Sequence, residues 1–246
     1  MIPARWGSTR LPGKSLMPLC GKPLVQWVYE RARQAKRLDA LLVATDDDRI
    51  RRAVESFGGV AVMTRPDHPS GTDRVAEAVA GRDADVVINI QGDEPAIDPG
   101  LIDALAGVML SDPMWDMATA AAPIREARDV TAPSVVKVVC DQRGAALYFS
   151  RAVIPHFRDA GGPGAPGMYW RHIGIYAYRR EFLRTFVATP PCDLERAEKL
   201  EQLRALYLGA RIRVVPTEDA GIGVDTPEDI RYAEVALRKL MQSAPE

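Results

Sequence analysis

The stretch VVINIQGDEPAID, residues 86–98, decides how this chain is built. Val86 to Ile90 is apolar without alternation, the pattern of a strand covered on both faces in a parallel sheet, so it is expected near the sheet centre. Directly after it come Gln91, Gly92, Asp93 and Glu94, at the carboxyl end of the strand, where open α/β sheets bind ligands. A lone carboxylate at that edge is expensive to desolvate unless a cation such as Mg²⁺ offsets the cost, which makes Asp93 the first candidate metal ligand. Glu94 and Asp98 also read as helix-capping acids before Pro95 and Pro99, a reading that fits Asp93 less well.

On either side of it, short apolar runs at LLVAT (41–45), VAVM (60–63) and RIRVVP (211–216) alternate with amphipathic segments. Leu24, Val25, Val28 and Ala32 recur at helical spacing, as do Ile50, Ala53, Val54 and Phe57, with Gly58-Gly59 closing the second helix. Strand and helix in alternation predict an α/β fold with a mostly parallel central sheet flanked by helices. From about 117 to 178 the pattern changes: MATAAAPI, VVKVV, ALYFSRAVI and HIGIYAY read as strands, a β-rich insertion within a single domain spanning 1–246. Inside it, GGPGAPG (161–167) excludes a helix or central strand and predicts a mobile loop. The first strand has only Met1-Ile2 before Pro3, so poor pairing is expected there.

Three further segments carry candidate chemistry. PARWGSTRLPGK (3–14) combines Gly7 and Gly13, the hydroxyls of Ser8 and Thr9, and the cations Arg5, Arg10 and Lys14. Small residues let backbone N–H groups approach phosphate oxygens while the cations neutralise them, so a polyphosphate cradle follows; a basic surface loop is the plainer alternative. It is not a P-loop, because no glycine stands five residues before Gly13. GIGVDTPEDIRYAE (221–234) offers Asp225, either the cap of the helix that follows or a second carboxylate sharing a Mg²⁺ site with Asp93. In TRPDHPSGTDR (64–74), Ser70, Gly71 and Arg74 stand where a pyrimidine edge would be read, though a turn with a helix cap explains the same residues, and His68 reads as a loop histidine.

Bulk properties narrow the class. The 32 basic and 33 acidic residues leave a net charge of -1, which supplies no global field for nucleic acid, and no apolar run approaches bilayer length. Cys20, Cys140 and Cys192 are scattered, without zinc-ligand spacing, and are expected as reduced, mostly buried thiols.

Taken in order, IPAR..STRLPGK, GKPL, ATDD, MTRPDHPSGTDR, NIQGDEP, VVKVV, ALYFSRAVIP, RHIGIYAYR, LEQLR and GVDTPED resemble the 3-deoxy-manno-octulosonate (KDO) cytidylyltransferase, or CMP-KDO synthetase, family across nearly the whole chain. The resemblance implies a Rossmann-like nucleotidyltransferase fold with a smaller β-rich layer for sugar binding and homodimer formation. It implies a cytoplasmic, Mg²⁺-dependent enzyme that transfers CMP from CTP to KDO for lipopolysaccharide synthesis. Position by position, Arg5, Ser8, Arg10 and Lys14 would hold the CTP phosphates. Ser70, Gly71 and Arg74 would lie near cytosine and ribose, with Gln91 between nucleotide and sugar. Asp93 and Asp225 would hold Mg²⁺, and His172, Tyr176, Glu201 and Gln202 would contact the sugar.

The residues support the sugar side partly. HIGIYAY alternates, placing His172, Gly174, Tyr176 and Tyr178 on one strand face, while a structural histidine remains the plainer reading of His172. In the predicted helix LERAEKLEQLRALYL, Leu200, Leu203 and Leu206 form the buried stripe, and Glu201 and Gln202 flank it as solvated residues or ligand contacts. The competing functions are a cytidylyltransferase for 8-amino-KDO or sialic acid, and a catalytically silent nucleotide-binding homologue.

Overall fold

A computed structural model describes residues 1–7, 11–159, 163–218 and 221–243. The chain forms two compact units: Met1–Ala106 with Gly221–Glu246, and Gly107–Ala220. Among the described residues no helix is long and apolar enough to cross a membrane.

In the first unit, β1 (Ile2–Ala4) is followed by the small hairpin β2 (Pro18–Leu19) and β3 (Lys22–Pro23), helix α1 (Leu24–Ala32), β4 (Val43–Thr45), α2 (Asp48–Ser56), β5 (Ala61–Met63), α3 (Gly71–Val79), β6 (Val86–Asn89) and the part of α4 (Pro99–Ser111) up to Ala106. Strands β1, β4 and β5 form a parallel sheet in that order. The short first strand pairs along its whole length, Ile2 with Val43 through Ala4 with Thr45, so the poor pairing expected there is not found. Ile2 is fully buried, and the Ile90 N–H donates to the Met1 carbonyl at 2.9 Å, which lays the end of the VVINI run beside β1. Asp47 caps α2, Ser70 caps α3, and the Asp98 carboxylate accepts from Gly100 N–H at the start of α4.

The second unit holds β7 (Met117–Pro123), α5 (Ala127–Thr131), β8 (Lys137–Cys140), β9 (Ala146–Ser150), β10 (Trp170–Arg179), α6 (Arg180–Ala188), α7 (Asp193–Glu198), α8 (Gln202–Tyr207) and β11 (Ile212–Pro216). Its strand order is β11-β7-β10-β8-β9, with β11 parallel to β7 and the remaining pairs antiparallel. The β-rich run read over 117–178 lies inside this unit. Of the glycine-proline segment, Gly161 and Gly162 lie outside the described residues, and the segment closes in a single 3-10 turn at Pro166–Met168.

Two expectations need correction. The helix read across LERAEKLEQLRALYL is broken: Lys199 takes a left-handed conformation at φ 52°, and α7 and α8 are separate. Tertiary bonds hold the break, since the Glu198 carboxylate accepts from Ser150 Oγ at 2.6 Å and from Arg151 N–H at 2.9 Å. Of the three cysteines, none in a disulfide, only Cys192 is buried; Cys140 is exposed.

The chain returns to the first unit through α9 (Pro227–Ser243), whose Ala233 and Leu237 are fully buried with Leu19, Leu24 and Val224.

Candidate active site

In the first unit, eight of the residues singled out in the sequence line one pocket: Arg5, Lys14, Ser70, Gly71, Arg74, Gln91, Asp93 and Asp225. Ser8 and Arg10, the remaining members of the predicted phosphate loop, lie outside the described residues.

At its centre is Lys14. Gly13 adopts φ 71°, a left-handed conformation that favours glycine, and its N–H donates to the Trp6 carbonyl at 3.1 Å. This turn opens a 3-10 helix at Lys14, whose ammonium donates to Asp93 Oδ2 at 2.7 Å and Asp225 Oδ1 at 3.0 Å. Those two carboxylates are 132 positions apart in sequence. They meet because the Val224 N–H donates to the Asp93 carbonyl at 2.9 Å, a backbone tie adjacent to both side chains.

The capping alternative for Asp225 is answered by its neighbours. The Asp229 carboxylate accepts from the N–H groups of Asp225 (2.9 Å) and Thr226 (2.7 Å), so Asp229 satisfies the start of α9 and the Asp225 side chain is directed at Lys14. Gly92 permits the close approach beneath them: a Cβ there would stand 2.6 Å from the Pro3 carbonyl oxygen.

Ser70 does what the capping alternative predicted. Its Oγ accepts from Thr72 and Asp73 N–H groups and donates to Asp73 Oδ2 at 2.6 Å. Arg74 lines the pocket, but its guanidinium is buried and committed, donating to Asp46 Oδ2 at 2.8 Å and Thr64 Oγ1 at 2.5 Å. Asp46 was not singled out by sequence, although it directly follows β4, the position from which the sheet delivers ligand-binding residues.

The remaining four residues belong to the second unit. On β10, His172 and Tyr176 share a strand face, ring centroids 5.5 Å apart, as the alternation predicted. Tyr176 Oη donates to Gln202 Oε1 at 3.3 Å, and Gln202 Nε2 is 3.5 Å from His172 Nδ1. Gln202 is buried rather than solvated, because the break at Lys199 restarts the helix with this side chain inward. Glu201 pairs with Arg204 at 3.2 Å. Burial pushes the His172 imidazole down to about 3, so it is neutral at physiological pH.

A profile described as Cytidylyltransferase matches residues 1–212. The 3-deoxy-manno-octulosonate cytidylyltransferase of Syntrophotalea carbinolica is 50% identical over 98% of this chain and 98% of its own length. The chain belongs to the 3-deoxy-manno-octulosonate cytidylyltransferase family. A second relative with that name, from Pelobacter propionicus, is 50% identical over 98% of this chain and 97% of its own. Among solved structures, a CMP:2-keto-3-deoxy-manno-octonic acid synthetase complexed with CTP superposes with a TM-score of 0.91 at 45% identity, covering 97% of each chain. Family membership makes this chain a nucleotidyltransferase and accounts for the α/β fold with its parallel sheet and flanking helices.

Proposed function

We propose that this chain transfers CMP from CTP to KDO, releasing pyrophosphate, with Mg²⁺ held by Asp93 and Asp225. The observation that carries the reading is the convergence of those two carboxylates on one ammonium in a pocket lined by Arg5, Ser70, Gly71 and Gln91. The donor set fits magnesium. Asp93 and Asp225 offer two carboxylates, and Mg²⁺ usually takes one or two and completes its octahedron with waters and phosphate oxygens. When bound, the ion supplies Lewis-acid polarisation of the phosphate oxygens.

In the reaction, the sugar's 2-hydroxyl oxygen forms a bond to the α-phosphorus in line with the breaking bond to the β-phosphate, whose bridging oxygen leaves with the electron pair as pyrophosphate, and the hydroxyl proton passes to solvent. No covalent enzyme intermediate is required, so the protein acts by positioning and by stabilising charge. Lys14 balances Asp93 and Asp225 before nucleotide arrives. Asp93 and Asp225 would hold the cation, and the Lys14 ammonium beside them would stabilise charge on the α-phosphate and the departing pyrophosphate, assisted by Arg5 and, from the resemblance, Ser8 and Arg10. The N-terminal end of α3, with Gly71 at its start, reads the pyrimidine edge. Arg74 acts on the cytosine side indirectly, by fixing Asp46 and the 64–65 segment. The resemblance supports Gln91 as a contact of the substrates, and His172, Tyr176, Glu201 and Gln202 as contacts of the eight-carbon acid.

The family resemblance further supports a cytoplasmic homodimer that activates KDO for lipopolysaccharide synthesis. A coupled pyrophosphate assay over CTP, UTP, ATP and GTP against KDO, 8-amino-KDO and sialic acid tests the reading. CTP with KDO is expected to give the highest kcat/KM; preference for another acid would reassign the substrate, and no release with any pair would leave a silent nucleotide-binding homologue.

A further inference from the structure

We propose that Thr119 is a positioning residue of the sugar side: its hydroxyl fixes His172 as the Nε2–H tautomer, and the ring then fixes the Gln202 amide with its oxygen toward Tyr176. The inference rests on the reading that His172, Tyr176 and Gln202 contact the sugar.

The sheet is irregular between β10 and β7. Along β10 and β7, Ile173 pairs with Ala120 but the next partners are Tyr176 and Thr119, so Gly174 and Ile175 form a bulge with no partner on β7. Into this bulge the fully buried Thr119 projects its hydroxyl, 2.8 Å from the Ile175 carbonyl oxygen, 3.1 Å from that of Ile173, and 2.9 Å from His172 Nε2.

A hydroxyl carries one hydrogen, and carbonyl oxygens only accept. Were that hydrogen given to His172, two carbonyl oxygens would face the lone pairs of a buried oxygen, a costly arrangement. The Thr119 hydrogen therefore goes to a bulge carbonyl, and its oxygen accepts from His172 Nε2–H. In a neutral ring Nδ1 is then an acceptor. The group 3.5 Å from it is the Gln202 side-chain amide, which must present its NH₂ there and so its oxygen to Tyr176 Oη, 3.3 Å away. Phe149 closes one side of the imidazole edge-on, centroids 4.9 Å apart, which limits rotation of the ring. One hydroxyl buried within β7 thus dictates the donor and acceptor pattern of three polar side chains. Its sequence context, the apolar run MATAAAP, gives no hint of this.

The test combines long-range ¹H–¹⁵N correlation spectra of the histidine rings with steady-state kinetics on the full chain. In wild type, the His172 ring is expected to show a protonated Nε2 and an unprotonated Nδ1; a protonated Nδ1 would overturn the proposal whatever the variants do. Thr119→Val should remove the tautomer preference and raise KM for KDO about tenfold, with KM for CTP within about twofold, as expected when one buried hydrogen-bond partner is deleted. Thr119→Ser, which keeps the hydroxyl, should restore both readouts. A Val variant with an unchanged spectrum and unchanged KM for KDO contradicts the proposal. Should Val fail to fold, the wild-type and Ser spectra still decide it. The spectra report on the hydrogen-bonding chain without turnover, so an enzyme inactive on KDO would refute the substrate reading and leave the tautomer result standing separately.

Discussion

Lys14 and His172 show opposite uses of charge at single residues. Lys14 is held by two carboxylates, Asp93 at 2.7 Å and Asp225 at 3.0 Å, in the pocket proposed for the triphosphate. If its charge matters most as pyrophosphate departs, Lys14→Ala should lower kcat about 10²- to 10³-fold, the usual loss when one preorganised charge-stabilising group is removed. KM for KDO should stay within about threefold in the same variant; equal losses in both would assign Lys14 to ground-state binding instead. His172 is held neutral, its pKa pushed from 6.5 to about 3 by burial. The unfolded chain binds a proton below 6.5 that the folded chain refuses until about pH 3, so this group's contribution to stability is complete above 6.5 and falls by up to about 1.4 kcal/mol for each pH unit between the two values. Urea unfolding between about pH 6.5 and 5 should show a shallower loss in His172→Gln than in wild type; parallel slopes would contradict burial of a neutral ring.

At the scale of elements, the pocket is made where strand ends meet tight loops. Gly92 leaves room for the Pro3 carbonyl, and a Cβ at 2.6 Å has backbone on its far side with no flexible side chain to yield. Gly92→Ala should therefore destabilise by about 1–3 kcal/mol as the end of β1 and the 91–94 loop are forced apart. It should also raise KM for CTP; calorimetry and steady-state kinetics together check the pair. In the second unit, Lys137 on β8 is fully buried and its ammonium donates to the carbonyls of Ala132, Val135 and Arg151 at 3.1, 2.7 and 2.6 Å. Lys137→Met leaves those oxygens without their cation and should cost about 2–4 kcal/mol, read as a shift in urea midpoint, since hydrogen bonds to charged groups count about 1.5–3 kcal/mol each.

These elements also show what a sequence can display. The strands were legible because β-branched runs between polar turns have few other solutions, and Ser70 and Asp98 were legible as caps because capping is local chemistry. The break at Lys199 was not, since it is held by Glu198 reaching Ser150 and Arg151, forty-odd residues away. Leucine spacing through LERAEKLEQLRALYL is continuous and gives no warning of it.

For the molecule as a whole, long-range pairing separates the readable from the hidden. Asp93 was readable as a strand-end carboxylate, but whether Asp225 capped its own helix or faced Asp93 depended on Asp229 and on the Val224 to Asp93 backbone bond, which no local pattern specifies. Thr119 and Asp46 escaped for the same reason: each is defined by partners distant in sequence, His172 and the bulge in one case, Arg74 in the other. The metal role of the two carboxylates depends on this long-range pairing. The direct measurement is KDO-dependent pyrophosphate release across a Mg²⁺ titration in wild type, Asp93→Asn and Asp225→Asn, with circular dichroism confirming that each variant is folded. Mg²⁺-dependent release is expected in wild type, with near-complete loss in both folded variants; Mg²⁺-dependent turnover persisting in either would contradict a metal held by Asp93 and Asp225.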